Sequence, residues 1–319
     1  MTRHLVAGGG GFIGSHLVDL FVSRGDNVTI VDNFVTGRRS NIAHLASNGD
    51  VAVVEHDVTA PLPSAITDGD FDTVLDLASP ASPDDFKTMP LEILAVGSTG
   101  TRNLLDLALA QNARFFLAST SEVYGDPLIH PQPETYWGNV SSIGPRSCYD
   151  EAKRFSEALT MAYHRTKGLE VRIARIFNTY GARMRPRDGR VVNTFVMQAL
   201  RNEPLTLHGD GSQTRSFCYV ADEIVGLTAV LDGDLTGPIN VGNPSEVTMH
   251  ELAEMVIKLT NSSSSIVNLP LPAEREGDPL QRCPDISLVH ETYGWQPGIS
   301  LHDGLARMID WFRTKEDLA

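Results

Sequence analysis

Short apolar runs alternate with longer segments whose apolar residues recur every three or four positions through the first half of the chain. The runs at 4–7, 27–32, 51–55, 73–77, 114–119 and 170–175 have the length of buried strands. The segments at 12–23, 91–110 and 149–166 carry helical periodicity. Strands and helices alternating at this length predict a parallel sheet with right-handed crossovers, a doubly wound α/β architecture.

Past residue 178 the rhythm changes. The stretch 181–215 is rich in Arg, Gly and Pro. A helical pattern returns at 220–231, a short strand at 239–241 and another helix at 249–259. Serines at 262–265 read as a loop, and 268–285, with four prolines, reads as irregular. The expected division is a dinucleotide-binding domain over 1–177, to which 216–242 returns. A smaller lobe is expected from 178–215 and 243–319. No internal repeat is visible.

A chain of 319 residues with 41% hydrophobic and 21% charged residues is ordinary for a globular enzyme. The formal charge of −14 argues against nucleic acid as the partner. It leaves room for a locally basic pocket, since arginines cluster at 183–190 and recur at Arg215, Arg275 and Arg282. Three widely spaced cysteines without a C-x-x-C predict neither a disulfide framework nor a zinc site, and no metal is expected. No apolar run reaches membrane-spanning length and no leader pattern is seen, so no membrane partner and a cytoplasmic location are expected.

Residues 7–14 read AGGGGFIG and place Gly8, Gly11 and Gly14 between the first strand and a helix that Phe12 and Ile13 open. Glycines there let the backbone approach a pyrophosphate at a helix N-terminus. Asp32 ends the next strand, where a carboxylate accepts from ribose hydroxyls and repels a 2′-phosphate, so NAD is expected rather than NADP. Arg38 and Arg39 lie close enough to favour the opposite choice. Asn33, then Asp57 and Val58 after the third strand, and Leu77 and Ala78 after the fourth, are the further expected cofactor contacts of this Rossmann-like fold.

Tyr149 and Lys153 stand four apart on a helix and so share a face. An ammonium beside a phenol favours the phenolate, which can take a proton from a sugar hydroxyl. Thr120, Ser121 and Glu122 close the fifth strand, and ligands in such sheets sit at strand carboxyl ends. Tyr149 and Lys153 thus count as both catalytic and cofactor-contacting candidates.

Together, G-x-x-G-x-x-G, the strand-end Asp32, STSEVYG at 119–125 and Y-x-x-x-K resemble the extended short-chain dehydrogenase/reductase family. The resemblance runs over essentially the whole chain. Longer strings, LASPASP at 77–83, ASTSEVYGDPLIHPQPE at 118–134, RIFNTYGARM at 175–184 and GDGSQTRSFCYV at 209–220, resemble its UDP-glucuronate decarboxylase branch. The resemblance implies decarboxylation of UDP-glucuronate to UDP-xylose through a 4-keto sugar, with NAD recycled, in a homodimer. It implies Thr120 and Tyr149 on the reacting hydroxyl, Lys153 beside them, and Ser121, Glu122 and Arg282 at the sugar carboxylate. Pro80, Asn178, Arg190, Val191, Arg215, Tyr219 and Arg275 are the implied contacts of the UDP-sugar. Asp76 stands where the family often has His, and Cys283 where it has Lys or Arg. A 4-epimerase, a 4,6-dehydratase and a non-catalytic NAD-binding protein are the alternatives.

Overall fold

The computed structural model describes residues 1–270 and 281–315. The first half runs β1 (Arg3–Ala7), α1 (Phe12–Ser23), β2 (Asn27–Asp32), β3 (Val51–Glu55), α2 (Ser64–Thr67) and β4 (Thr73–Asp76). It continues with α3 (Pro83–Thr88), α4 (Pro90–Ala95), α5 (Thr101–Ala110), β5 (Arg114–Thr120), α6 (Ser147–Lys167) and β6 (Val171–Ile176). The second half runs β7 (Thr179–Tyr180), α7 (Val191–Leu200), β8 (Leu205–His208), β9 (Thr214–Ser216), β10 (Cys218–Tyr219), α8 (Val220–Asp232) and β11 (Ile239–Val241). It ends with β12 (Glu246–Thr248), α9 (Met249–Thr260), β13 (Ile266–Leu269), α10 (Ser287–Tyr293) and α11 (Leu301–Lys315).

Seven parallel strands form one sheet in the order β11-β6-β5-β4-β1-β2-β3. The chain reverses its direction of growth between β1 and β4, which opens a crevice at their carboxyl ends. Successive residues of the middle strands feed opposite cores. Val6, Leu75 and Phe116 meet α1 and α8, while Leu5, Val74 and Phe115 meet α5. All six are fully buried, which explains why their strands read as unbroken apolar runs rather than as alternation. Three two-stranded sheets, β10–β7, β12–β9 and β13–β8, extend the second half beside this crevice.

The sequence predicts one helix over 91–110, and the structure breaks it. A π-helical turn, Val96–Gly100, separates α4 from α5. A methyl group on Gly97 would lie 2.7 Å from the Ala152 Cβ of α6, so the two helices meet with almost no side chain between them. The Gly97 carbonyl accepts from the Ser156 hydroxyl at 2.7 Å. The wide turn thus directs a backbone oxygen at the helix that carries Tyr149 and Lys153. Within 181–215, three elements (α7, β8 and β9) sit where the dense Arg, Gly and Pro content hides their periodicity. Among the described residues no helix is long and apolar enough to cross a membrane.

Candidate active site

The turn after β1 is closed by its own backbone. Gly8 has φ +81°, and a Cβ there would fall 2.7 Å from the Leu77 carbonyl group. A Cβ on Gly14 would fall 2.2 Å from the Gly8 oxygen. Gly11 caps α1 without any side chain, so the first N–H groups of that helix face the crevice. At the end of β2, the Asp32 carboxylate accepts from the backbone N–H of Gly10 and of Phe34, each at 2.8 Å. Burial raises its pKa, and those two donors work against the rise. Asp32, Asn33, Asp57, Val58, Leu77 and Ala78 line one chamber of about 190 Å³ with Gly8 and Gly11. Asn33 donates to Asp57 at 3.3 Å. Pro80, expected on the sugar, lies in this chamber instead. An uncapped helix start, a turn with no room for side chains and a buried carboxylate together fit a dinucleotide with free ribose hydroxyls.

A larger chamber of about 710 Å³ shares Gly8, Gly11 and Leu77 with the first. It brings together Phe12, Ile13, Gly14, Thr120, Ser121, Glu122, Tyr149, Lys153, Asn178, Arg190, Val191, Arg215 and Arg282. Tyr219 is not in its wall. That ring is buried edge-on against Tyr180 at 5.6 Å, with Arg307 over its face, because it starts α8 from inside the core. Arg275 lies outside the described residues.

Tyr149 and Lys153 project from the same side of α6, but the expected lowering of the tyrosine pKa is not what the structure shows. Burial pushes the Tyr149 phenol up to about 12, a Thr120 hydrogen bond opposes this, and the Glu122 charge adds to it. The Lys153 ammonium points away, donating to the Ala118 carbonyl at 2.9 Å, with its nitrogen 6.0 Å from the Tyr149 ring centroid. Burial lowers the lysine pKa, and the charges of Asp76 and Glu157 resist that. Asp76 itself is buried at the end of β4 and accepts from Thr101 at 2.8 Å. Thr101 in turn lies 3.2 Å from the Ser156 hydroxyl on α6. Phe86 stacks on Tyr149, with centroids 4.9 Å apart, and closes the other side of the phenol.

Glu122 reaches the chamber because β5 stops at Thr120. The Thr120 hydroxyl accepts from the Glu122 N–H at 3.3 Å and starts a short 3-10 turn, Ser121–Tyr124. Gly125 ends that turn at φ +62°, where a Cβ would strike the Asn139 oxygen at 2.0 Å. Two guanidiniums then converge on the carboxylate, Arg146 at 2.5 Å and Arg282. Burial works to raise the Glu122 pKa, but the Arg146 and Arg282 charges outweigh it and hold it down to about 2. Neighbouring Asp150 goes the other way. Burial and the Glu122 charge lift it to about 7. Sequence reasoning missed Arg146, although its place three residues before Tyr149, at the start of the helix, was a usable signal.

Three of the four arginines at 183–190 are pinned by carboxylates. Arg183 meets Asp19 at 2.5 Å, Arg185 meets Asp85 at 2.7 Å, and Arg190 meets Asp188 at 2.6 Å. Counting the wall of the larger chamber, six arginines (146, 183, 185, 190, 215, 282) and Lys153 give seven cations. Four carboxylates (Asp85, Glu122, Asp188, Asp210) leave a formal +3 in a chain of −14.

Residues 5–308 match the family described as GDP-mannose 4,6 dehydratase. The chain belongs to that family. UDP-glucuronic acid decarboxylase 1 of Arabidopsis thaliana is 52% identical to it over 313 residues, covering 98% of this chain and 70% of that protein. UDP-glucuronic acid decarboxylase 1 of Danio rerio is 47% identical over 310 residues, covering 97% and 72%. Among solved structures, the UDP-glucuronic acid 4-epimerase of Bacillus cereus in complex with UDP-glucuronic acid and NAD superposes with a TM-score of 0.87 at 28% identity. That match covers 98% of this chain and 99% of the epimerase. The fold of this family is the α/β sheet described above, and its members are NAD-dependent.

Proposed function

We infer that the protein is an NAD-dependent UDP-glucuronate decarboxylase that makes UDP-xylose. The observation that carries this reading is the Glu122 carboxylate held by Arg146 and Arg282 in the chamber that also holds Tyr149. Identity of 52% and 47% to proteins named for this activity supports it. A 4-epimerase needs the tyrosine but no apparatus for removing a carboxyl group.

Bound NAD would supply reversible oxidation at carbon 4 of the sugar. Tyr149 takes the proton of the carbon 4 hydroxyl, relayed or steadied by the neighbouring Thr120 hydroxyl in the same chamber. A phenol held near 12 stays protonated at neutral pH, so its service as a base depends on positive charge arriving with the ligands. The oxidised sugar is a β-keto acid. When its carboxyl group leaves as carbon dioxide, the bonding electrons pass to the carbon 4 oxygen, where the Tyr149 hydroxyl and Thr120 stabilise the enolate. Arg282 and Arg146 receive the sugar carboxylate during binding. Glu122, ionised and beside it, raises the energy of that carboxylate relative to neutral carbon dioxide. A proton on carbon 5 and reduction at carbon 4 complete the product.

The positive wall suits the diphosphate, with Arg190 and Arg215 as its contacts and Asn178 and Val191 on the nucleotide, so that segments 178–215 and 243–319 act as the sugar-nucleotide lobe. The reading includes a homodimer paired through α4 and α6, since Leu91, Leu94 and Phe155 are large apolar residues left exposed on those helices. Three buried, unpaired cysteines suit a reducing compartment, in keeping with a cytoplasmic enzyme. Incubation with UDP-glucuronate tests the assignment. Carbon dioxide and UDP-xylose are expected, whereas UDP-galacturonate without carbon dioxide would overturn it.

A further inference from the structure

Outside both chambers, three segments far apart in sequence bring a thiol, an imidazole and a carboxylate together. The His130 Nε2 lies 2.9 Å from a Glu246 oxygen. The Cys283 Sγ joins them, and all three donor atoms lie within 4.8 Å of one another. We propose that His130, Glu246 and Cys283 form a binding site for one thiophilic divalent cation of the zinc class, with water as the fourth ligand. The proposal is independent of the decarboxylation reading.

The scaffold behind these donors is built rather than incidental. Gln132 is fully buried and ties the two loops together. Its N–H donates to the Cys283 oxygen at 2.9 Å, and its side-chain oxygen accepts from the Cys283 N–H at 2.9 Å. Its carbonyl accepts from the Asp285 N–H at 3.0 Å, and its amide donates to Ile129 at 2.7 Å. On the third segment, Thr214 donates to one Glu246 oxygen at 2.7 Å while the other faces His130. That is the arrangement by which an outer hydrogen bond fixes the direction of a metal-binding carboxylate.

The donor set also selects the cation. Thiolate, imidazole and carboxylate suit zinc, whereas magnesium and calcium demand oxygen ligands. Bonds of about 2.0–2.3 Å in a tetrahedron bring donors to about 3.4–3.7 Å of one another. Starting from 2.9 Å between His130 and Glu246 and within 4.8 Å among all three donors, rotation of the partly exposed His130 and Glu246 side chains opens that pair and brings both to Cys283. Spacing in sequence offers no such site. Only the fold joins 130, 246 and 283.

The test uses the full chain, stripped with a chelator and titrated with cobalt(II) as a spectroscopic probe, then with zinc against a chromophoric competitor. One cobalt per chain with thiolate-to-cobalt charge-transfer absorption is expected, displaced by zinc and unaffected by millimolar magnesium. Cys283→Ser should abolish the band and weaken zinc binding by about a hundredfold, and His130→Ala or Glu246→Gln by about tenfold or more. A missing band, or one that survives in Cys283→Ser and so belongs to Cys148 or Cys218, overturns the proposal. Should Cys283→Ser lose its thermal transition, Glu246→Gln at the surface decides alone, and unchanged zinc affinity there refutes the site.

Discussion

Arg282 donates to the Glu122 carboxylate and, with its other terminal nitrogen, to the Gly125 carbonyl at 3.1 Å. The guanidinium is thereby fixed at two points, with its side chain only 4% exposed. It can rotate toward a ligand only by giving up one of them. Glu122→Gln keeps the shape and removes the charge. Turnover measured as carbon dioxide release is expected to fall by about 10²–10³, with NAD affinity within about twofold of the parent. Equal turnover would take Glu122 out of the chemistry.

Tyr149→Phe should lower kcat by about 10²–10⁴ while NAD still binds. The phenol also makes a spectroscopic prediction. With its pKa held near 12, the cofactor-free chain should show no Tyr149 phenolate absorption at neutral pH, measured as the difference between parent and Tyr149→Phe. Adding NAD should bring the transition down. A phenolate near pH 7 without NAD would contradict the dominance of burial.

Asp76 resists the fall that burial imposes on the Lys153 pKa. Asp76→Asn removes that charge, so the lysine should lose its proton at lower pH than in the parent. If the ammonium is required, the alkaline limb of the kcat–pH profile moves to lower pH while the acidic limb stays. An unmoved alkaline limb would show that the Asp76 charge does not set the ionisation that limits turnover.

How much of this was readable in the sequence depends on where each signal lives. The six strands of the first half, and Ile239–Val241, were legible as short apolar runs, which buried parallel strands produce and which the partly exposed edge strand Val51–Glu55 keeps through its valines. So was the convergence of Gly8, Asp32, Thr120 and Tyr149, since each stands at the carboxyl end of a strand or on a helix beside one. The π-helical turn was not, because its cause is the Ala152 methyl of another helix. Nor were the pairings of Arg183 and Arg185, whose partners Asp19 and Asp85 come from a hundred or more residues away in chain order. Tyr219 misled because its string resembles the family while its ring turns into the core. The tyrosine pKa misled because a four-residue spacing fixes a shared face but not the direction in which Lys153 Nζ points.

Glu223 gives a stability prediction. Burial, with both carboxyl oxygens left without a hydrogen-bond partner, lifts its pKa from 4.5 to about 8, only partly opposed by the neighbouring Cys218 and Thr179 side chains. Between those values the folded chain holds a proton that the unfolded chain releases, so stability falls as pH rises through the window. Glu223→Gln should therefore match the parent near pH 4 and exceed it by about 2–4 kcal/mol at pH 8–9. Thermal melts of both proteins across that range check the sign. A gap that widens toward acid would refute it.

The chamber wall of +3 within a chain of −14 has a kinetic consequence. A multiply anionic ligand diffusing in from afar meets net repulsion, and only within about 8 Å, the screening length at physiological salt, does it feel the arginines instead. Added inert electrolyte should then speed encounter at first, by damping the distant repulsion, and weaken retention afterwards. Capture by this protein is thus a short-range event. Its rate should rise and then fall with ionic strength, where a wholly basic surface would give a decline throughout.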